Sequence, residues 1–284
     1  MLGQYLITFR EALESALITA IILSYLARSG RRSLSRYVWY GILLALAASL
    51  SLGVFIWFAY GALPEAFQPL FEATSAFIAV AVLSSMIYWM AVKGKNIKSK
   101  MEKRIEAITS RGAIIGLASL GFVVVFREGF ETVLFLSPFL LNDVMATIIG
   151  LLVGALTAIV LAYGMFVVGM KINLLRFFYF TSILLILLAG GLTGYGVHEI
   201  LEYYEKTGFE VGWLAEPAYT LSIPVGSPFH HKGIIGSIFA VILGYTVNPE
   251  WARIIVHLTY LAIALPLVIW IYRKTNGKRP DNAQ

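Results

Sequence analysis

Phe9-Arg10-Glu11-Ala12-Leu13-Glu14-Ser15-Ala16-Leu17 and Phe126-Arg127-Glu128-Gly129-Phe130-Glu131-Thr132-Val133-Leu134 decide how this chain folds. Both read F-R-E-x-x-E-[ST]-x-L, at an offset of 117 residues, and each places three ionisable side chains inside a long apolar run. At about 100° per residue, Arg10, Glu14 and Glu11 fall at roughly 0°, 40° and 100° of one helical face, and Arg127, Glu131 and Glu128 repeat the pattern. An ionised side chain near the centre of a membrane helix costs about 2.5–3.5 kcal/mol on insertion scales. Six such groups must therefore face one another or water, not lipid. Arg10–Glu14 and Arg127–Glu131 are spaced for pairing along the helix. Pairing each arginine once leaves a surplus carboxylate on each helix, which a purely structural clamp does not need.

The rest of the chain explains why these runs read as membrane spans. Of 284 residues, 59% are hydrophobic and 13% charged, and the mean hydropathy is +0.80, where a soluble domain carries roughly a quarter charged residues. The chain has no cysteine, which excludes disulfides, thiolate metal sites and thiol catalysis. The N-terminal run holds Arg10, Glu11 and Glu14 and lacks a basic leader, so it reads as a retained helix and not as a signal peptide. Windows long enough for about 30 Å of hydrocarbon cover 2–27, 37–61, 70–92, 112–137, 144–170, 176–199 and 250–272. Pro138 to Asp143 reads as a turn, Asn248-Pro249 as the cap and first residue of the last helix, and Gly233 to Tyr245 as a re-entrant segment too short to cross.

Charge then sets the orientation. Segments 28–36, 93–111, 171–176 and the tail after Ile271 hold four, seven, two and four Lys/Arg, seventeen of the 22, while the opposite loops hold almost none. The positive-inside rule puts the N-terminus outside and the C-terminus inside. The net charge of +6 thus reports topology, and nucleic acid is not an expected partner. The expected fold is all-α and polytopic: a single transmembrane domain of seven helices, a 3+3 inverted repeat plus one. Repeat one covers about 2–92 and repeat two about 112–199. An outer loop and the re-entrant segment fill 200–249, and the last helix 250–272. Three spans separate the motifs, so the second copy enters from the opposite side, an arrangement that puts a transport site at the repeat interface.

Four carboxylates and two guanidiniums sum to −2, and Glu72, near the outer end of the third span, adds one more. An oxygen-lined, negative site suits a hard cation. Glu199, Glu202, His230 and His231 in the outer stretch are candidates for cation recruitment at the mouth, against the alternative of a solvated loop. His198 and His257 are expected to be hydrogen-bonded packing residues, with Glu250 and Arg253 bordering the last helix. Met101, Ile105 and Ile108 either lie on an anionic inner leaflet or belong to a solvated loop. Gly150-x-x-x-Gly154 and the glycines at 190, 191, 194 and 196 suit close helix packing, the latter also a bend used in gating.

Two intramembrane R-E-x-x-E motifs in a seven-span chain with an external N-terminus resemble the iron permeases of the oxidase-dependent iron transporter family, which includes the fungal high-affinity permease and bacterial relatives, some implicated in lead uptake. The resemblance extends over nearly the whole chain, including Phe71-Glu72 to Trp89-Met90 of the third span. It implies iron as transported substrate, no cofactor, the plasma membrane as location, and Glu11, Glu14, Glu128 and Glu131 as metal ligands flanked by Arg10 and Arg127. It also implies an extracytoplasmic oxidase or iron donor as partner, although the acidic outer-loop motif of the fungal members is absent here. A membrane potential supplies about 2.3 kcal/mol per charge per 100 mV, roughly 7 kcal/mol for a trivalent ion. The alternatives are a transporter for lead or another divalent metal, an intramembrane carboxylate metalloenzyme, and a structural scaffold. The enzyme lacks the Glu-x-x-His pairs typical of di-iron sites.

Overall fold

The computed structural model describes residues 1–93, 104–108, 113–166, 174–224, 226–230 and 233–277. The long elements are all helices: α1 (Leu2–Arg28), α2 (Ser35–Gly61), α3 (Gln68–Lys93), α4 (Ala113–Asn142), α5 (Val144–Phe166), α6 (Leu174–Lys206), α7 (Ile234–Leu243) and α8 (Trp251–Gly277). A further helical turn covers 104–108. Among the described residues, five stretches are long and apolar enough to cross a membrane: Arg32–Gly61, Gln68–Met90, Val144–Phe166, Tyr179–Lys206 and Trp251–Lys274. The helices α1 and α4, of 27 and 30 residues, have the length as well, but each breaks its apolar run with the three charges of its motif.

The chain divides into two compact units. One comprises Gln4–Gly61 and Lys95–Ile172, the other Met1–Gly3, Ala62–Gly94 and Asn173–Gln284. The first therefore holds α1, α2, α4 and α5, and with them both motifs. The second holds α3 and α6 together with α7 and α8.

Within the first unit, small residues face inward and large apolar ones outward. On α2 the buried positions are Val38, Gly41, Ile42, Ala45 and Ser49, while Leu43, Leu44, Leu50, Phe55 and Phe58 are exposed. That inverts the soluble pattern and is what lipid contact requires. A Cβ at Gly41 would meet the Ala118 carbonyl oxygen, and also the Phe122 nitrogen at 2.8 Å; one at Gly121 would meet the Val38 oxygen at 2.7 Å. The crossing of α2 and α4 is thus backbone to backbone. On α5, Gly150, Gly154, Ala158 and Ala162 are buried, with Gly154 against the Tyr5 oxygen and Phe9 nitrogen of α1 at 2.8 and 2.9 Å. The Gly150/Gly154 spacing serves the close packing expected of it. Ile105 is completely buried among Ile22, Leu26, Val38, Ile42 and Leu117, and Ile108 packs on Gly116. Both face protein and not a leaflet; Met101 lies outside the described residues.

In the second unit, α6 packs on α3, α7 and α8. A Cβ at Gly190 would meet Leu261 at 2.8 Å, one at Gly194 would meet Arg253 at 3.2 Å, and one at Gly196 would meet Phe77 at 3.1 Å. Hydroxyl pairs, Ser84 with Tyr260 at 2.8 Å and Ser182 with Tyr272 at 3.1 Å, tie α8 to α3 and α6.

Three boundaries differ from the sequence reading. Pro138 sits inside α4, because Ser137 donates its hydroxyl to the Leu134 carbonyl at 2.8 Å, the acceptor that a Pro138 N–H would have used. The helix runs to Asn142, and Asp143 caps α5 by accepting the Ala146 N–H at 2.9 Å. The helix α6 continues through Glu199 and Glu202 to Lys206 and ends only where Gly208, at φ +77°, closes a Schellman turn: the Phe209 N–H bonds the Tyr204 carbonyl at 2.8 Å. Asn248-Pro249 does not open the last helix. The Pro249 carbonyl accepts the Ala218 N–H at 2.8 Å, and the Glu250 carbonyl takes the first helical bond, from Ile254, at 3.2 Å. The helix α7 has ten residues, about 15 Å, half the hydrocarbon thickness.

Substituting Gly41 by Val should cost about 1–3 kcal/mol by overpacking and lower the thermal midpoint of the detergent-solubilised protein. Gly53→Ala, whose new Cβ meets only Val133 at 3.8 Å, should leave that midpoint nearly unchanged.

Candidate metal centre

The first unit brings the two motif triads together. Arg10 is completely buried and clasps both of its own carboxylates, Glu11 at 2.6 Å and Glu14 at 2.8 Å. Arg127 repeats the clasp with Glu131 at 3.0 Å and Glu128 at 3.5 Å, but its side chain is 46% exposed. Each guanidinium therefore serves two carboxylates, not only the one four residues on, so the expected single pairing is replaced by a shared one. The charge balance stays at one surplus negative charge per helix.

Carboxylate oxygens of Glu11, Glu128 and Glu131 all lie within 4.8 Å of one another. One comes from α1 and two from α4. In each of the three, Oε2 is buried and has no hydrogen-bond partner, an expensive condition for an ionised oxygen unless something positive takes it. Glu14 stands outside this group, held by Arg10.

The supports of the centre also repeat. One turn before each motif an aromatic pair stacks at an interplanar angle of 9°: Tyr5 on Phe9 in α1 and Phe122 on Phe126 in α4. The copies differ at Ala12 and Gly129. A Cβ at Gly129 would run into the Ser49 hydroxyl, so α2 presses on the second motif where glycine alone fits. On α1, Gln4 and Thr8 are buried, and Gln4 Oε1 and Thr8 Oγ1 have no hydrogen-bond partner. Sequence reasoning passed over both, although their spacing to Glu11, four and then three residues, is the signal that would have found them.

Glu72 belongs to the second unit, where the Tyr195 hydroxyl donates a hydrogen bond to it. Glu199 lies beside both, and His198, Glu199 and Glu202 offer ligand atoms within 4.8 Å of one another. Glu199 and Glu202 thus stand on the last turns of α6, not on a loop. His198 Nδ1 bonds Glu250 Oε1 at 2.7 Å, so His198 is hydrogen-bonded as expected and also belongs to a ligand grouping. Burial alone would raise the Glu250 carboxyl, but the His198 bond outweighs it and holds the group below its ordinary range. His257 is buried against Gly190 and Gly244. His230 is buried in the turn before α7 and stands outside both groupings among the described residues; His231 lies outside those residues.

The model of the iron permease FTR1 family matches residues 1–270. The chain belongs to that family. It is 44% identical to an uncharacterized protein of Archaeoglobus fulgidus over 268 residues, 94% of each chain. It is 34% identical to the ferrous iron permease EfeU of Shigella sonnei, over 93% of this chain and 94% of that one. With the EfeU of Yersinia pestis the identity is 32%, over 98% and 96%. No solved structure matches the chain. Membership of a permease family, with five long apolar helices, makes the chain a multi-pass membrane transporter and not an enzyme.

Removing one partner of a buried charge cluster leaves the others uncompensated. Arg10→Met should destabilise the purified protein by about 3–5 kcal/mol. Arg127→Met, at a half-exposed position, should cost clearly less; paired thermal unfolding curves would read the difference.

Proposed function

We propose that the chain imports iron across the plasma membrane through the centre formed by Glu11, Glu128 and Glu131, with Glu14, Arg10 and Arg127 as its immediate surroundings. One observation carries this reading: carboxylates from both motif copies converge within 4.8 Å, and each keeps a buried oxygen without a partner. Three carboxylate oxygens and no sulfur or imidazole make a site for a hard cation. The arginines offset part of the carboxylate charge and keep the site from binding the ion irreversibly.

The topology completes the reading. The helices α1 to α6 and α8 span the bilayer with the N-terminus outside and the C-terminus inside. The motif helices α1 and α4 then enter from opposite sides, each placing its acidic turn at the same depth. The ion is ferrous, as the names of the EfeU relatives have it for those proteins. For a divalent ion a potential of 100 mV, negative inside, contributes about 4.6 kcal/mol toward entry. In the second unit, His198, Glu199 and Glu202, backed by Glu72 and Tyr195, form the outer recruitment point. They lie together near the ends of α3 and α6 that this orientation places outside.

Uptake of labelled ferrous iron into proteoliposomes tests the central claim. Glu11→Gln and Glu131→Gln should each lower the rate at least tenfold, about 1.4 kcal/mol or more, in protein that remains inserted. Undiminished uptake by the double variant would sink the reading. Glu199→Gln with Glu202→Gln should instead raise KM several-fold at nearly constant Vmax, and the effect should shrink as salt screens the mouth. Competition by lead and manganese in the same vesicles separates iron from the other divalent substrates.

A further inference from the structure

We infer that Gln4 and Thr8 extend the carboxylate centre toward the N-terminal end of α1 as two neutral oxygen ligands, which the cation meets one after the other before it reaches Glu11. This rests on the proposed passage of a cation through Glu11, Glu128 and Glu131.

The first argument is an anomaly in hydrogen bonding. Hydroxyls inside these helices bond back to the carbonyl four residues earlier: Ser49 to Ala45 at 2.9 Å, Thr147 to Asp143 at 2.8 Å, Thr181 to Phe177 at 3.1 Å and Thr193 to Ala189 at 2.7 Å. That bond is the ordinary refuge of a threonine in an apolar helix. Thr8 is 4% exposed, and its Oγ1 has no partner at all. Gln4, one turn earlier, is also 4% exposed, with Oε1 equally unpartnered. A buried acceptor left open is costly, and here two stand in sequence on one helix.

The second argument is direction. Gln4, Thr8 and Glu11 fall within a sector of about 60° on α1, with Thr8 and Gln4 about 4.5 and 10.5 Å along the axis from Glu11. Side chains on a helix lean toward its N-terminus, so the Glu11 carboxylate reaches back toward the level of Thr8. Three unpartnered oxygens, Gln4 Oε1, Thr8 Oγ1 and Glu11 Oε2, therefore follow one another along one sector of α1, and the last belongs to the residue that groups with Glu128 and Glu131.

The third argument is that the repeat breaks here. The positions equivalent to Gln4 and Thr8, 117 residues on, are Gly121 and Val125. Gly121 is packed against the Val38 carbonyl, and Val125 is buried in the apolar core of the unit. The motif, its serine or threonine and its aromatic pair are duplicated, but the polar row is not. With the second copy inverted, the row serves the outer approach alone. A hard divalent ion sheds its water reluctantly, and oxygen ligands that replace that water stepwise ease its entry as carbonyls do in ion channels. Neutral oxygens do this without holding the ion as a further carboxylate would.

The test uses the full chain in proteoliposomes with ferrous iron kept reduced by ascorbate, beside thermal unfolding of the same protein in detergent with and without that ion. Thr8→Val is isosteric and removes a hydroxyl that has no partner, so the metal-free thermal midpoint should hold or rise. Thr8→Val with Gln4→Leu should raise KM for iron at least fivefold and shrink the upward shift of the midpoint that iron produces. Thr8→Ser should restore both. Unchanged KM and an unchanged iron-induced shift in the double variant, with Glu131→Gln inactive, would overturn the inference while leaving the carboxylate reading in place. Full uptake by Glu131→Gln would remove the carboxylate reading and the inference together.

Discussion

The structure depends on one electrostatic constraint: charges placed in an apolar bundle must neutralise most of one another, and here they do so incompletely. Arg10 and Arg127 each hold two carboxylates of their own helix. The leftover negative charge cannot reach lipid and is confined where α1 meets α4. Everything that lets these helices approach follows from that confinement. Gly129 admits the Ser49 hydroxyl, Gly154 admits the backbone of α1, and Gly41 with Gly121 bring α2 against the backbone of α4. A single added methyl at any of these positions would push apart helices whose spacing fixes the distance between like charges.

The two arginines are not equivalent although the motif makes them look so. Arg10 is sealed and Arg127 is half exposed, so the same attraction acts in two dielectric settings. At Arg10 a charge pair acts at full strength but demands complete compensation. At Arg127 the half-exposed side chain holds its carboxylates at the longer distances of 3.0 and 3.5 Å. The carboxylates that Arg127 holds, Glu128 and Glu131, are the two that join Glu11 in the shared group, whereas Glu14, held by the sealed Arg10, does not. The carboxylates facing the common point thus belong mostly to the triad held at longer distances.

Much of this was legible in the chain because membrane burial turns composition into geometry. Apolar runs gave the helices, helical spacing put three charges on one face, and the 117-residue offset gave the pairing of α1 with α4. The failures have local causes. Pro138 reads as a breaker until Ser137 is seen to take the orphaned carbonyl. Glu199 and Glu202 look like loop residues because hydropathy ends where the membrane does, while helical hydrogen bonding continues to the Gly208 turn. The position of Glu72 along α3 is visible in sequence, but its partner Tyr195, 123 residues away, is not. Gln4 and Thr8 escaped notice because an uncharged polar residue in an apolar run is ordinary, and only the absence of the usual back-bond makes it informative.

The division into two units sorts the helices: α1, α2, α4 and α5 make one body, and the third helices, α3 and α6, make the other with α7 and α8. Each motif triad keeps one surplus negative charge, so sharing a bundle concentrates that surplus at one point. The third helices are then free to specialise. Their polar residues, Glu72, Tyr195, His198 and Glu199, gather toward one end, where they meet Glu250 at the start of α8. A charge cluster at a helix end can be hydrated, so it needs no arginine clasp and tolerates a histidine that a sealed centre would have to satisfy on both nitrogens. The two units thus carry different acidic groups: a carboxylate cluster clasped by arginines in one, and in the other a cluster near a helix end that includes a histidine.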